Sequence, residues 1–254
     1  MKNNADSEKY TLQSVDNALA LIDLLCINEE MGVSEIASAM NLGKSTVFRL
    51  LFTLEKKNFL YKDKHAKYRL SLKFTSIGNL VLRGMELVNL VHPFLEELTK
   101  VTGETSHLVI WDSSVNVIFI DKVLGLSSIR MESMVGLIRT AHLTASGKSL
   151  LAFSDKTIEE NYLNRIRFER KTTSSIKNKT MLREELKLIR ALGYSCDDEE
   201  SEHGLTCFGA PLFDSFGYAI AAISISGPTD RMRTHKDERI NQVVANACKI
   251  SSYL

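Results

Sequence analysis

The stretch GVSEIASAMNLGKSTVFRLLFTLEKKNFLYKDKHAKYRLSL, residues 32–72, decides how this chain begins to fold. Ile36, Ala37 and Met40 give residues 33–40 the apolar face of a short helix, for which Ser34 is a candidate N-cap. Asn41-Leu42-Gly43 then makes a tight turn. A second helix runs from Lys44 to about Lys57, with Val47, Leu50, Leu51 and Leu54 on one face. Lys44, Ser45, Phe48, Arg49 and Thr53 fall largely on the others. The runs NFLYKD and KYRLSL flank the basic turn KHA and read as a hairpin. Two short helices across a three-residue turn, followed by a hairpin with a basic tip, make a winged helix-turn-helix.

In such a unit the helix after the turn enters the major groove, and its N-terminal residues reach base edges or phosphates. The candidate DNA-binding residues are therefore Ser34, Lys44, Ser45, Thr46, Phe48 and Arg49, with Lys62, Lys64 and Lys67 on the wing. Phe48 has the chemistry to meet a thymine methyl or a sugar. Taken singly, Ser45 and Thr46 also suit an ordinary first helical turn, and Phe48 a core.

Net charge is +1, but it is unevenly spread. Residues 41–73 hold Lys44, Arg49, Lys56, Lys57, Lys62, Lys64, Lys67, Arg69 and Lys73 against Glu55 and Asp63 alone. Residues 1–40 are acidic, with only Lys2 and Lys9 as bases. A basic block of this kind is a footprint for a polyanion. Charge alone does not separate it from a solvated lysine face.

Upstream, SVDNALALIDLLCI (14–27) reads as a helix that Ser14 or Asp16 can cap. The opening MKNNADSEKY is polar and lacks the apolar run of a signal peptide. Downstream, residues 74–105 are mostly helical, with Pro93 expected to kink or restart the helix and Gly103 to end it. The texture then changes. SHLVIW, VNVIFIDKV and SSIRMES read as strands, and helices follow at about 146–153, 155–164 and 180–192. YSCDDEE, GLTCFGAPLF and YAIAAISISG are three more strands, and a helix over about 229–253 closes the chain. Strands, helices, strands and a helix predict an α+β domain on a mainly antiparallel sheet.

A length of 254 residues suits one large domain or two modest ones. No apolar run reaches the ~18 residues of a membrane span. Cys26, Cys196, Cys207 and Cys248 are scattered, which suits a reduced cytoplasm better than a disulfide framework or a zinc site. No metal or cofactor is expected.

Gly-Lys-Ser occurs twice, at 43–45 and 147–149, each time before an apolar run. A phosphate-binding loop needs another glycine five positions earlier. Those positions hold Ser38 and His142, so neither triplet qualifies. Both are better read as helix starts whose free N–H groups favour anions, polyanionic at the first and a small carboxylate at the second. An enzyme is the main rival class, since Cys207–His203 or Ser146–His142 pairs can be imagined. No G-x-S-x-G, S-x-x-K or H-E-x-x-H motif supports one. A ligand-binding protein without DNA binding is a third class, and the basic segment argues against it.

Together these segments resemble the IclR family of bacterial transcription regulators. SVDNALALIDLL is similar to that family's opening helix, and GVSEIASAMNLGKSTVFRLLFTLEKKNFL to its helix-turn-helix. TGETSHLVI, VNVIFIDKV, RMESMVG, ASGKSLLAF, IRALGYSCDDEESEHGLTCFGAPLFD and AISISGP follow in the order of its effector domain. The resemblance implies a winged helix-turn-helix over 1–73, a linker helix over 74–90 and a GAF-like effector domain over 91–254. It also implies a homodimer or dimer of dimers on double-stranded operator DNA, most often a repressor controlled by a small organic acid. The matching pocket positions are Met131, Ala145, Ser146, Gly147, Asp197, Leu205, Cys207, Ser224 and Ser226. Thr140-Ala141-His142 departs from the Pro-Leu-His of many members, and Arg139 precedes it.

The residues at these positions fit a carboxylate. Amides of Ser146, Gly147 and Lys148 at a helix start would bind it, while Ser224, Ser226 and the Cys207 thiol would take other polar atoms. Arg139, if turned inward, would grip a second carboxylate. Lys148 is expected to project to solvent, and Cys207 also suits a core filler. The run Asp197-Asp198-Glu199-Glu200 is expected to be mostly solvated, with one member turned inward.

Overall fold

The computed structural model describes residues 10–131 and 133–254. Residues 1–9, which hold most of the polar opening, and Glu132 lie outside the described residues. The chain divides into two units, one ending at Gly84 and one beginning at Met85.

The first unit contains α1 (Gln13–Ile27), β1 (Met31–Gly32), α2 (Val33–Met40), α3 (Lys44–Lys56), β2 (Leu60–Lys62), β3 (Lys67–Leu70) and α4 (Lys73–Arg83). Leu21, Leu25, Ile36, Ala37, Val47, Leu51, Leu60 and Tyr68 form its core, so one apolar stripe from each helix meets the hairpin. The winged helix-turn-helix is present, with β1 as a third strand in the order β1-β3-β2. Asn41 takes the left-handed conformation that turns the chain between α2 and α3.

The expected caps differ. Leu12, not Ser14 or Asp16, precedes α1, and no side chain caps it. Ser34 lies inside α2; Gly32 is the N-cap, and its N–H donates to the Glu35 carboxylate at 2.6 Å. A carboxylate one turn into a helix satisfies a free amide as well as a hydroxyl cap does, and also suits the helix dipole.

The break between the units lies at Gly84–Met85, within the stretch expected to be a linker helix. Helix α5 (Glu86–Thr102) runs through Pro93, because Val91, Leu95, Leu98, Thr99 and Thr102 bury one face of it. Burial on that scale outweighs the local cost of an interior proline.

The second unit adds β4 (Thr105–Trp111), β5 (Asn116–Val123), β6 (Ile138–Thr140), α6 (Ala145–Ala152), α7 (Lys156–Arg165) and α8 (Lys179–Leu192). It ends with β7 (Ser195–Asp198), β8 (Leu205–Phe213), β9 (Ala219–Pro228), α9 (Thr229–Thr234) and α10 (Lys236–Ser251). Six strands form one antiparallel sheet in the order β6-β5-β4-β9-β8-β7. Successive residues of β4, β8 and β9 are buried, as in strands covered on both faces. Residues 127–131 and Ser133 form no strand; the edge strand is Ile138–Thr140 instead. The expected C-terminal helix is two, parted at His235. No helix among the described residues is long and apolar enough to cross a membrane.

Glu104 ties this unit together from the start of β4. It is fully buried, and the Arg231 guanidinium donates to both of its oxygens at 2.6 Å, with Arg239 donating to one at 2.6 Å. Gly227 leaves room for it, since a Cβ there would lie 2.3 Å from Oε2. Burial alone raises the carboxyl's pKa, but the two arginines outweigh it and hold the pKa below the ordinary value of 4.5. A depressed carboxylate pKa stabilises the fold above the unfolded pKa, and that contribution is lost as pH falls through the folded one. Glu104→Ala leaves the buried Arg239 and the half-buried Arg231 without their carboxylate and is expected to cost about 3–5 kcal/mol. Urea unfolding at neutral pH measures this loss, which should shrink as the pH is lowered below about 4.

Candidate functional site

Two surfaces carry chemistry, one in each unit. In the first, Lys44, Ser45, Thr46, Phe48 and Arg49 are all exposed on α3, while Val47 and Leu51 face the core. Ser34 is exposed on α2. The wing tip is shaped by Asp63, whose Oδ1 accepts the N–H groups of His65 at 2.9 Å and Lys67 at 2.7 Å. Lys62 and Lys64 are exposed, and the Lys62 ammonium lies 5.4 Å from the Tyr68 ring centre. Lys67 is placed differently from the other wing lysines. It donates to both oxygens of Glu35, at 2.8 and 2.7 Å, and so braces the wing against α2.

In the second unit a cavity of about 480 Å³ opens between the sheet, the start of α6 and the loop before β6. Strand register explains its polar wall. Asp197 pairs with Cys207 and Cys207 with Ser226; Gly209 pairs with Ser224 and Ser224 with His107. Directly paired residues share a face, and so do residues two apart on one strand. Four strands thus present Asp197, Cys207, Ser226, Ser224 and His107 to the same space. Met131, Leu205, Ala145 and Ser146 complete the part expected from sequence, and Arg139 stands at the mouth. Met131 reaches the cavity from a loop rather than a strand.

Three expectations are corrected. Gly147 does not line the cavity: Thr144 takes its N–H at 3.0 Å and the Lys148 N–H at 2.9 Å, leaving Ala145 and Ser146 as the wall. Lys148 is fully buried, because all eight residues of α6 are buried and no side faces solvent. Its ammonium donates to Glu200 at 2.5 Å and Glu185 at 3.1 Å. Burial pulls the lysine's pKa down, yet Glu200 and Glu185 outweigh it and hold the group charged. Two members of the acidic run turn inward, not one. Glu200 is pushed up to about 7 by burial against the pull of Lys148. Asp197 accepts the N–H groups of Glu200 at 2.8 Å and Ser201 at 3.3 Å and the Ser201 hydroxyl at 2.5 Å. Arg139 is exposed and donates to the Ile138 carbonyl at 3.3 Å.

The imagined catalytic pairs are absent among the described residues. His203 is exposed beside Glu199, while the thiol of Cys207 is buried and its pKa raised by that burial. His142 Nδ1 shares a hydrogen with the Tyr162 hydroxyl at 2.8 Å and does not reach Ser146.

Two buried polar atoms bordering the cavity have no partner among the described residues, Ser226 Oγ and His107 Nδ1. His107 Nε2 meets the Ser133 hydroxyl at 2.7 Å. Sequence reading missed His107, although the alternation of β4 places it with Thr105 and Val109 on one face. Phe119, Leu143, Thr144 and Lys171 also line the cavity without having been singled out.

Comparison with known proteins matches residues 14–64 to the IclR helix-turn-helix domain and residues 79–252 to the bacterial transcriptional regulator IclR C-terminal domain. The HTH-type transcriptional regulator KdgR of Escherichia coli is 33% identical over 245 residues, covering 95% of this chain and 92% of that protein. The transcriptional repressor IclR of Escherichia coli is 30% identical over 241 residues, covering 94% and 88%. The crystal structure of the Thermotoga maritima IclR superposes with a TM-score of 0.71 at 33% identity, covering 95% of this chain and all of that one.

Burial, helped by the positive charge of Lys122, pushes His107 down to about 3. The unfolded ring protonates first, so this group costs stability as pH falls below about 6.5 and ceases to add cost near 3. The His107 ring resonances are expected to stay at their neutral positions between pH 8 and 5, as an NMR titration of the folded protein can show.

Proposed function

This chain belongs to the IclR family of bacterial transcriptional regulators, and from that premise we propose that it represses transcription in the cytoplasm under the control of a small carboxylate. It binds operator DNA as a homodimer or dimer of dimers. Helix α3 enters the major groove, with Lys44, Ser45, Thr46 and Arg49 at base edges and phosphates. Ser34, Lys62 and Lys64 meet the adjacent backbone. Lys67, neutralised by Glu35, holds the wing in position more than it attracts phosphate.

The observation that carries the ligand reading is the pair of buried, unsatisfied polar atoms at the cavity, Ser226 Oγ and His107 Nδ1. A buried donor or acceptor left without a partner costs about 1–3 kcal/mol, and a bound polar molecule recovers it. The carboxylate sits at the start of α6 beside Ala145 and Ser146, away from the buried Asp197. Ser224, Ser226 and His107 take its other oxygens, and Arg139 swings from the rim onto a second acidic group where one is present. The strand order, with the two hairpin-bearing halves joined through β4 and β9, supports the GAF-like description of this domain. Repression is the direction favoured by the likeness to a protein named as a repressor.

Arg49→Ala is expected to weaken binding to a selected operator duplex at least about tenfold, and to lower the salt slope of the binding constant by about one. Circular dichroism and sedimentation should be unchanged. Unaltered affinity at fixed salt would remove Arg49 from the interface. A thermal-shift screen of small carboxylates finds the ligand, because binding to the folded state alone raises its stability. Ser226→Ala should then lower affinity for the hit by about five- to tenfold in calorimetry, with ligand-free operator binding intact. Equal ligand affinity in the two proteins would refute this placement.

A further inference from the structure

The outward face of α3 carries two large apolar side chains. Phe48 and Phe52, one turn apart, are 51% and 56% exposed. Their ring centroids lie 6.5 Å apart, with the planes 24° from parallel. Val47 and Leu51 are fully buried on the opposite side, so no rotation of the helix can hide the rings without emptying the core. Scattered exposed apolar residues are ordinary, but a stacked aromatic pair at the centre of an exposed helix face is a contact surface waiting for a partner.

The surrounding charge identifies the partner. Lys44, Arg49 and Lys56 lie on the same helix, and no acid occurs between Lys44 and Leu54. An apolar strip framed by cations matches the major groove, which offers phosphates at its edges and thymine 5-methyl groups on its floor. The ring spacing of 6.5 Å is close to two base steps of about 3.4 Å.

We propose that Phe48 and Phe52 form an aromatic strip that reads the 5-methyl groups of two thymines separated by one base pair in each operator half-site. This rests on α3 being the DNA-reading helix and adds Phe52, together with the thymine spacing, to that reading. Phe52 extends recognition one turn past the polar start of the helix, where the neighbouring Thr53 hydroxyl is already engaged by the Arg49 carbonyl at 2.8 Å.

The test uses the full-length chain. A duplex is selected from a random library, and its thymines are replaced one at a time by deoxyuridine, which lacks only the methyl group. Affinities of the wild type, Phe48→Ala, Phe52→Ala and Phe52→Leu are measured by fluorescence anisotropy at one salt concentration. In the wild type, two thymines with one base pair between them should each show about a fourfold loss on replacement, the value of one buried methyl. Phe52→Ala should abolish the loss at one of them, Phe48→Ala at the other, and Phe52→Leu should retain part. A duplex selected without any deoxyuridine-sensitive position would overturn the strip while leaving the DNA-reading assignment standing. So would equal sensitivity in wild type and Phe52→Ala, or conversion to monomers by Phe52→Ala in sedimentation, which would give the rings to a second copy. Failure to select any duplex would instead overturn the assignment of α3 itself.

Discussion

The close approach of α6 to the sheet is the constraint on which the second unit depends. Two glycines permit it. A Cβ on Gly209 in β8 would lie 2.9 Å from the backbone of Ala145 and Ser146, and one on Gly147 would lie 2.3 Å from the Ala141 carbonyl oxygen. Those distances are impossible for real atoms, so any larger residue would push the helix off the strand. With the helix pressed in, Thr144 can cap it, Ala145 and Ser146 become a wall of the cavity, and no face of α6 is left for water. The buried charge of Lys148 follows from the same packing. An unpaired ammonium in that position would cost several kcal/mol, and Glu200 and Glu185 supply the counter-charge.

That arrangement ties the cavity to its surroundings. Glu200, which holds Lys148, is two residues from the end of β7, and its own N–H donates to Asp197 in the cavity wall. Ser201 closes the same turn by donating to Asp197. The turn that closes one wall of the cavity is thus the same turn that grips α6. These adjacent hydrogen bonds form one contiguous network within the domain, from Lys148 through Glu200 to Asp197 and Ser201.

Local signals were enough for most of the fold. The stripes of α1, α2 and α3, the apolar runs of β4, β8 and β9, and Gly103 and Gly193 ending their helices all depend on neighbours in sequence. The failures depend on distant partners. SSIRMES follows two strands and carries Ile129 and Met131 two apart, but β5 takes its partner from Ile138–Thr140, leaving residues 127–131 and Ser133 outside any strand. Pro93 signals a break, but the burial of α5 overrides it. In the site, alternation was sufficient to pair Ser224 with Ser226, and the same rule applied to β4 would have found His107. The register of four strands, which brings Asp197, Cys207, Ser226, Ser224 and His107 together, is not written in any one of them.

The two Gly-Lys-Ser triplets make the same point through a single motif. Gly43 stands in open space, with only the Ser45 hydroxyl oxygen, at 4.0 Å, near the position of a Cβ, and Lys44 and Ser45 are free to meet a polyanion. Gly147 is enclosed on every side, its amide is already bonded, and Lys148 is locked into an ion-pair network. The first glycine serves as a helix start that many residues could make, while the second is required by steric contact. Identical letters acquire opposite roles because one helix lies with its face to solvent and the other lies between a sheet and α8. An anion-binding reading of a helix start therefore has to be argued from what its amides and its lysine touch, and the triplet alone does not carry it.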